Sequence, residues 1–549
     1  MMHRLLFVVW SVAFLLLLAV TGANGLYVLE LVQVAHRSGV EPPPADAPNR
    51  TKQCSPNGTT DCAAMANYGA QQLKAMGTYI RQLYSDDAQI TNSATWLGST
   101  YDPTAVRSRA FADPATAQAA TALLSGIYAS PGESITPAII STAPDLDTLL
   151  NVEAIPSFAI ANELNAAALN KELAKVVDEQ FPDPQSLPAM GAEVGLDAIC
   201  SDSSRRVLCC DRLQRLATMY TAMGTAGAAP TLAAHAAQLD AVAAARHRAL
   251  YGYNATQSTG AARGSLGQTL AQEMLKNMRR KMLLEGNNGH NTHRVMHYAH
   301  NIPIDTALGY SPETKTPLAE TFLLDLLRDE GTGAFFVRLR YGNVAPAASP
   351  EAVPAVAAAL FPFRCLSAAN VPTDATTSDG LICPFDDFAR FVDSSKGTDA
   401  AGGVCYLDED TKSEFGCNVE GAAPSEKCAG YRAMCPAQAC PSGFVFSVAD
   451  GSCKHIDIVK DVISNGPAVA VGIVSVFCGF VLSFVIMHIC PMFFLKNAKK
   501  SANSDFLSPQ SPLTETGAVE ENGKGVRETV NEREKATEEN DNEFTRRGS

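Results

Sequence analysis

The residues able to do chemistry are gathered in three short stretches. The first is His36-Arg37-Ser38-Gly39, which follows an apolar run from Val28 to Val34 and leads through Val40-Glu41 into Pro42, Pro43 and Pro44. An apolar run bounded by turn residues reads as a buried strand. In an open α/β sheet, ligands bind beyond the carboxyl ends of such strands. An Arg there offers donors to an anion, and Ser38 offers a hydroxyl that becomes a nucleophile only if a base takes its proton. His36 is the one candidate base close in sequence. The second stretch runs Gly289-His290-Asn-Thr-His293-Arg-Val-Met-His297-Tyr-Ala-His300-Asn301. Its four His invite a metal, but the spacing suits neither a zinc-protease helix nor a finger, and no Cys or Glu completes a set. No metal and no cofactor are expected; the segment reads as a strand from Arg294 to Ala299 ending in His300-Asn301. The third stretch is Val106-Arg107-Ser108-Arg109, just ahead of an Ala- and Leu-rich helical pattern over Ala115–Tyr128.

Helices and hairpins must hold these stretches in place. Met65 to Tyr84 carries Met65, Leu73, Met76, Ile80 and Leu83 on one face at helical spacing. Leu266 to Glu285 repeats Leu266, Leu270, Met274, Met278 and Met282, a core-facing stripe. Leu323 to Tyr341 reads as a β-hairpin with Gly331 and Gly333 in its turn. Residues 140–260 read as several helices broken at Pro156, Pro182–Pro184 and Gly224–Pro230.

These elements resemble the histidine acid phosphatases, whose loop signature is Arg-His-Gly-x-Arg-x-Pro. Arg37, Gly39 and Pro43 match it. Ser38 falls at the nucleophilic His and Glu41 at the second Arg. Gly69, Gln72 (one place off), Met76, Gly77, Ile80, Arg81 and Tyr84 follow the order of the family's next helix. Arg107 and Ser108 resemble the segment that supplies a further phosphate-binding Arg, and His300-Asn301 resembles the His-Asp motif with Asn at the proton donor. Sliding the loop by two residues puts His36 at the nucleophile, but only the first register keeps Arg, Gly and Pro. The resemblance covers about Leu29 to Tyr341, and the membrane-bound acid phosphatases of trypanosomatids are most similar. It implies a three-layer α/β/α sandwich with an inserted α-helical cap within about 130–260. It also implies phosphomonoester hydrolysis through a phosphohistidine, with no cofactor.

By this reading Arg37, Arg107 and His300 remain as phosphate-binding residues, while Ser38 and Asn301 replace nucleophile and acid. Losing a general acid alone typically costs about 10²–10⁴-fold. Glu41 adds roughly 3–4 kcal/mol of repulsion per unit of phosphate charge at ~4–6 Å. The expectation is a catalytically impaired phosphatase relative that binds a phosphorylated ligand or a protein partner. The alternatives are an active acid phosphatase using His36 or Ser38, and a structural or adhesion glycoprotein without ligand.

The chain has 549 residues, 46% hydrophobic, and a net charge of −14. That acidity argues against a nucleic-acid partner, which needs a basic face. Residues 1–25 read as a signal peptide, with Ala23 and Gly25 spaced for cleavage. Residues 467–495 form an apolar stretch long enough to cross the roughly 30 Å of a bilayer. Lys496, Lys499 and Lys500 place its far end in the cytoplasm. The expected topology is type I and single-pass, in the secretory or endosomal-lysosomal pathway or at the cell surface. It comprises a phosphatase-like domain at 26–345, a Cys-rich juxtamembrane region at 346–466 and a disordered tail at 496–549. Sequons at Asn49, Asn57 and Asn254 and a set of luminal Cys fit an oxidising compartment. Setting aside Cys478 and Cys490 leaves an odd number of Cys, so at least one is unpaired within a monomer.

Overall fold

The apolar run becomes β1 (Tyr27–His36), which extends two residues beyond Val34 and takes in His36 as its last residue. In a computed structural model, residues 27–455 are described apart from short stretches, the longer ones being 286–292, 309–316, 375–381, 398–404 and 418–425. The expected signal peptide, membrane segment and tail lie outside the described residues. Among the described residues, no helix is long and apolar enough to cross a membrane.

β1 sits at the centre of a mixed eight-stranded sheet. On one side it pairs in parallel with β4 (Val295–Ala299), which pairs in parallel with β2 (Val106–Ala110), and β3 (Ile139–Ile140) lies beyond. On the other side β1 pairs antiparallel with β5 (Thr321–Asp329), which forms the expected hairpin with β6 (Phe335–Val344). β7 (Val356–Ala359) and β10 (Ile382–Pro384) both pair antiparallel with β6, and β8 (Arg364–Leu366) pairs with β9 (Pro372–Asp374) as a separate ribbon.

Side chains alternate between the two faces of a strand, and both faces here are covered. One face packs Val32, Val34, Val295 and Leu323 against α1 (Cys62–Ser85) and α2 (Pro114–Ile127). The other packs Leu31, Ala35, Met296 and Leu324 against the Met stripe of α7 (Gln268–Glu285). Between β3 and α7 the chain inserts four longer helices: α3 (Pro156–Gln180), α4 (Ser186–Val194), α5 (Arg206–Ala222) and α6 (Ala236–Tyr251). They bury their own cluster around Phe181, Leu187, Met190 and Leu213. Cys54 bonds Cys62, Cys200 bonds Cys209, and Cys210 stays free and buried.

The domain boundary expected at 345 lies too early. β7 and β10 extend the main sheet, and α8 (Phe385–Asp393) sends Phe385, Phe388 and Val392 into the α7-side core. A short, Pro-interrupted run carries too weak a period to announce that it completes a sheet edge. The later Cys do staple a small unit, through Cys405–Cys435 and Cys417–Cys428. It also has an apolar centre, Leu407 and Tyr431 packed on Ile160 of α3.

A buried ionic lock ties α1 to the hairpin. Asp325 of β5 accepts hydrogen bonds from Tyr84 and from Arg338 Nε at 2.8 Å. Asp87 pairs with Arg338 at 2.9 Å and with Arg340, whose guanidinium lies 5.2 Å from the Tyr84 ring centroid.

Where the loop after β1 crosses α1, backbone meets backbone. A methyl on Gly69 would lie 2.0 Å from the Val40 carbonyl oxygen, and one on Gly39 would lie 2.7 Å from the Gly69 oxygen. Only hydrogen fits there. Gly69→Ala is therefore expected to push the loop off α1 and destabilise the protein by about 1–3 kcal/mol despite better helix propensity. A thermal melt checks this, and an unchanged melting temperature would refute it.

Candidate functional site

The carboxyl ends of β1 and β4 lie side by side, with His36 level with Ala299. The His300 N–H donates to the His36 carbonyl at 3.1 Å, which brings the two sequence stretches together. The side chains then separate by face.

His36 is fully buried and both ring nitrogens are engaged. Its Nδ1 is 3.0 Å from the Arg37 carbonyl oxygen, which can only accept, so the proton sits on Nδ1. Its Nε2 must then accept from His297 Nε2, 2.9 Å away. That leaves His297 Nδ1 to accept from the Ser108 hydroxyl at 2.6 Å. The chain Ser108→His297→His36→Arg37 oxygen thus has one consistent arrangement of protons, with both imidazoles neutral. Burial lowers the His36 pKa to about 4 and holds His297 well below its ordinary value, the neighbouring imidazoles adding to the latter. His36 is consequently a structural group and does not serve Ser38 as a base, contrary to the candidate role given by sequence proximity.

Ser38 leaves β1 toward the N-terminus of α2. Its hydroxyl is 3.3 Å from Thr116 Oγ1 and also bonds the carboxylate of Glu41. The loop is pinned by Ala319 N–H to the Ser38 carbonyl at 2.9 Å and by Val40 N–H to Gln72 Oε1 at 2.9 Å. Glu41 itself is exposed at the rim.

Arg37 points to the other face, where it joins His300, which the sequence had grouped with it, and three groups that the sequence had not named. Its charge acts on His300, His247, Asp305 and Glu320. Asp305 comes from the short helical turn after β4, Glu320 from the residue before β5, and His247 from cap helix α6. Asp305 and Glu320 are 3% and 4% exposed; the Glu320 carbonyl accepts from the Arg37 N–H at 3.0 Å, and neither carboxyl forms an ion pair with Arg37. Burial raises the Asp305 pKa to about 6. Burial and the Asp305 charge raise Glu320 to about 8. His247 Nε2 lies 4.0 Å from Asp305 Oδ2, and burial lowers the His247 pKa to about 4. Burial, followed by the charges of Arg37 and His36, lowers that of His300 to about 3.

Two expected site residues lie elsewhere. Arg107 is exposed midway along β2, on the face opposite Ser108, and its charge is felt by Tyr298 and His293. Its register partner Met296 pairs in turn with Gln33, so Arg107 lies on the face that Arg37 takes, but midway along the sheet and short of the strand ends where Arg37 and His300 stand. Asn301 is also exposed, its backbone bridging to Asn151 and donating to the Leu150 carbonyl at 2.8 Å. The sequons Asn49, Asn57 and Asn254 are all exposed. Among the described residues no cluster of His, Cys, Asp and Glu could hold a metal.

Together, fold and site define a three-layer α/β sandwich with a helical insertion and a charged cluster at the carboxyl ends of its central parallel strands. No family model and no curated protein matches the chain. Solved structures similar to it include the phytase from Citrobacter braakii, 15% identical with a TM-score of 0.47, covering 69% of this chain and 100% of that one. The phytase of Klebsiella sp ASR1 is 17% identical, with a TM-score of 0.44 over 67% of this chain and 96% of that one. The multiple inositol polyphosphate phosphatase of Bifidobacterium longum, complexed with inositol hexasulfate, is 12% identical, with a TM-score of 0.37 over 58% and 86%. Likeness at this level leaves the chemistry to the side chains themselves.

The imidazole chain has a pH signature. A His whose folded pKa lies below its unfolded value stabilises fully above the unfolded value, and that stability is lost as pH falls toward the folded one. For His36 the window runs from 6.5 down to about 4. Asp305 and Glu320, raised, act with the opposite sign, their stability being lost as pH rises. Comparing His36→Gln with wild type isolates the first effect. The variant's acid-side loss of stability should be shallower by up to about 1.4 kcal/mol per pH unit. Parallel pH profiles of the two proteins in chemical or thermal unfolding would refute it.

Proposed function

We propose that this chain is a type I, single-pass membrane glycoprotein of the histidine acid phosphatase type whose luminal site grips phosphate-bearing ligands without turning them over. The observation that carries the reading is the environment of Ser38. Its hydroxyl is held by Thr116 and Glu41, while His36, two residues away, is spent on Arg37 and His297. A carboxylate is too weak a base to generate a serine alkoxide, and its negative charge also repels a dianionic substrate. At the acid position, Asn301 has no proton to give. Arg37 and His300 remain as donors to an oxyanion. The exposed sequons and the disulfides support an oxidising compartment. The membrane anchor rests on the apolar stretch 467–495 and the Lys that follow it.

The test is turnover. The purified protein should hydrolyse an aryl phosphate between about pH 4 and 6 no faster than its Ser38→Ala variant, since no activated nucleophile is present. Robust turnover lost in Ser38→Ala or His36→Ala would overturn the reading and make the chain a working phosphatase.

A further inference from the structure

The polar atoms around Arg37 are left unsatisfied in a particular pattern. Arg37 is half-buried and forms no ion pair or side-chain hydrogen bond among the described residues. His300 Nε2, His247 Nε2 and Asp305 Oδ1 are buried and bonded to nothing. The Ile302 N–H donates to His300 Nδ1 at 3.2 Å, so neutral His300 carries its proton on Nε2. His300 and Asp305 are 4% and 3% exposed, so a polar atom of either that lacks a partner carries a desolvation cost. A guanidinium and a nearby imidazole N–H are satisfied together by an oxyanion. The groups that compete for that guanidinium are the protein's own carboxyls.

We propose that Arg37 and the Nε2–H of His300 form an oxyanion clamp that Asp305 and Glu320 gate, open to a phosphate- or sulfate-bearing ligand in acid and closed by their ionisation toward alkaline pH. The proposal rests on the reading of this site as a non-hydrolysing phosphate site and adds its regulation. The raised pKa values of about 6 for Asp305 and about 8 for Glu320 leave both carboxyls neutral near pH 5. Their protons come off as a coupled pair, and each ionisation sets a negative charge in Arg37's field where the ligand must sit.

The remaining charges do not reverse this sign. On the cap, Arg215 and Arg246 are both drawn to Asp211, at 3.4 and 3.2 Å. His247 stays neutral until about pH 4, and the Tyr251 hydroxyl is raised by burial. Asp113 is occupied in capping α2, and Tyr341 bonds Glu320. Glu41, raised in the same direction as the pair, adds negative charge at the rim as pH rises.

Sulfate is the probe, because its charge is constant over the range. Calorimetric titration of the full-length protein in mild detergent should show sulfate binding near pH 5 that weakens about tenfold per pH unit above about pH 6, with proton uptake on binding there. Arg37→Ala should abolish binding at every pH. The double variant Asp305→Asn, Glu320→Gln should keep its acid affinity at about pH 8. If melting shows that the double variant does not fold, Asp305→Asn alone should retain binding near pH 7, where wild type has weakened. Equal wild-type affinity at both ends of the range overturns the gate and leaves the phosphate site standing. No sulfate binding at any pH, or binding indifferent to Arg37→Ala, overturns both.

Discussion

The structure depends on β1 being buried on both faces. A strand with no wet side must have every polar group it carries satisfied within the protein. Gln33 donates to the Met274 carbonyl at 2.9 Å and accepts from Asn277, which fixes α7 against the sheet. Glu30, at an irregularity in the β1–β5 register, takes Arg328 at 2.8 Å. His36 closes on His297. Each of these pairings also fastens a neighbouring element, so the polar groups of β1 align the layers that its apolar groups attract.

The same constraint separates the two halves of the loop that follows. Because strand side chains alternate, Ser38 continues the His36 face toward α2, while Arg37 turns to the face beneath the cap. There it meets Asp305 and Glu320. A buried carboxyl beside a cation can ionise and neutralise it, or stay protonated and leave it free. Which of these holds depends on pH, and so the charge of the cluster is a property of conditions as well as of composition.

Far from this cluster, Asp325, Asp87, Arg338 and Arg340 form a network with Tyr84 in which opposite charges lie within contact distance. The contrast is instructive. Where the protein needs only to join a helix to a hairpin, its buried charges are paired. Around Arg37 the carboxyls of Asp305 and Glu320 lie within the reach of its charge without an ion pair to it.

Several features were legible in the residues. The period of the Met stripe, the apolar run of β1 and the Gly-bearing hairpin all appear in the structure, because local spacing and local turn chemistry decide them. What Ser38, Glu41 and Asn301 can each offer was equally plain, since a side chain's chemistry is known from its identity. What only the tertiary structure decided was company. Asp305, Glu320 and His247 come from three separate elements and carry no common spacing. The nearest signal was Glu320 standing directly against the apolar strand that begins at Thr321. Arg107, plausible by its place in a motif, stands level with Gln33 on the right face but short of the strand ends. His36, two residues before Ser38 in the chain, was claimed by a partner 261 residues away. Sequence fixes which groups exist and how each short segment folds. Which face a group takes, and what it is buried against, depends on long-range packing.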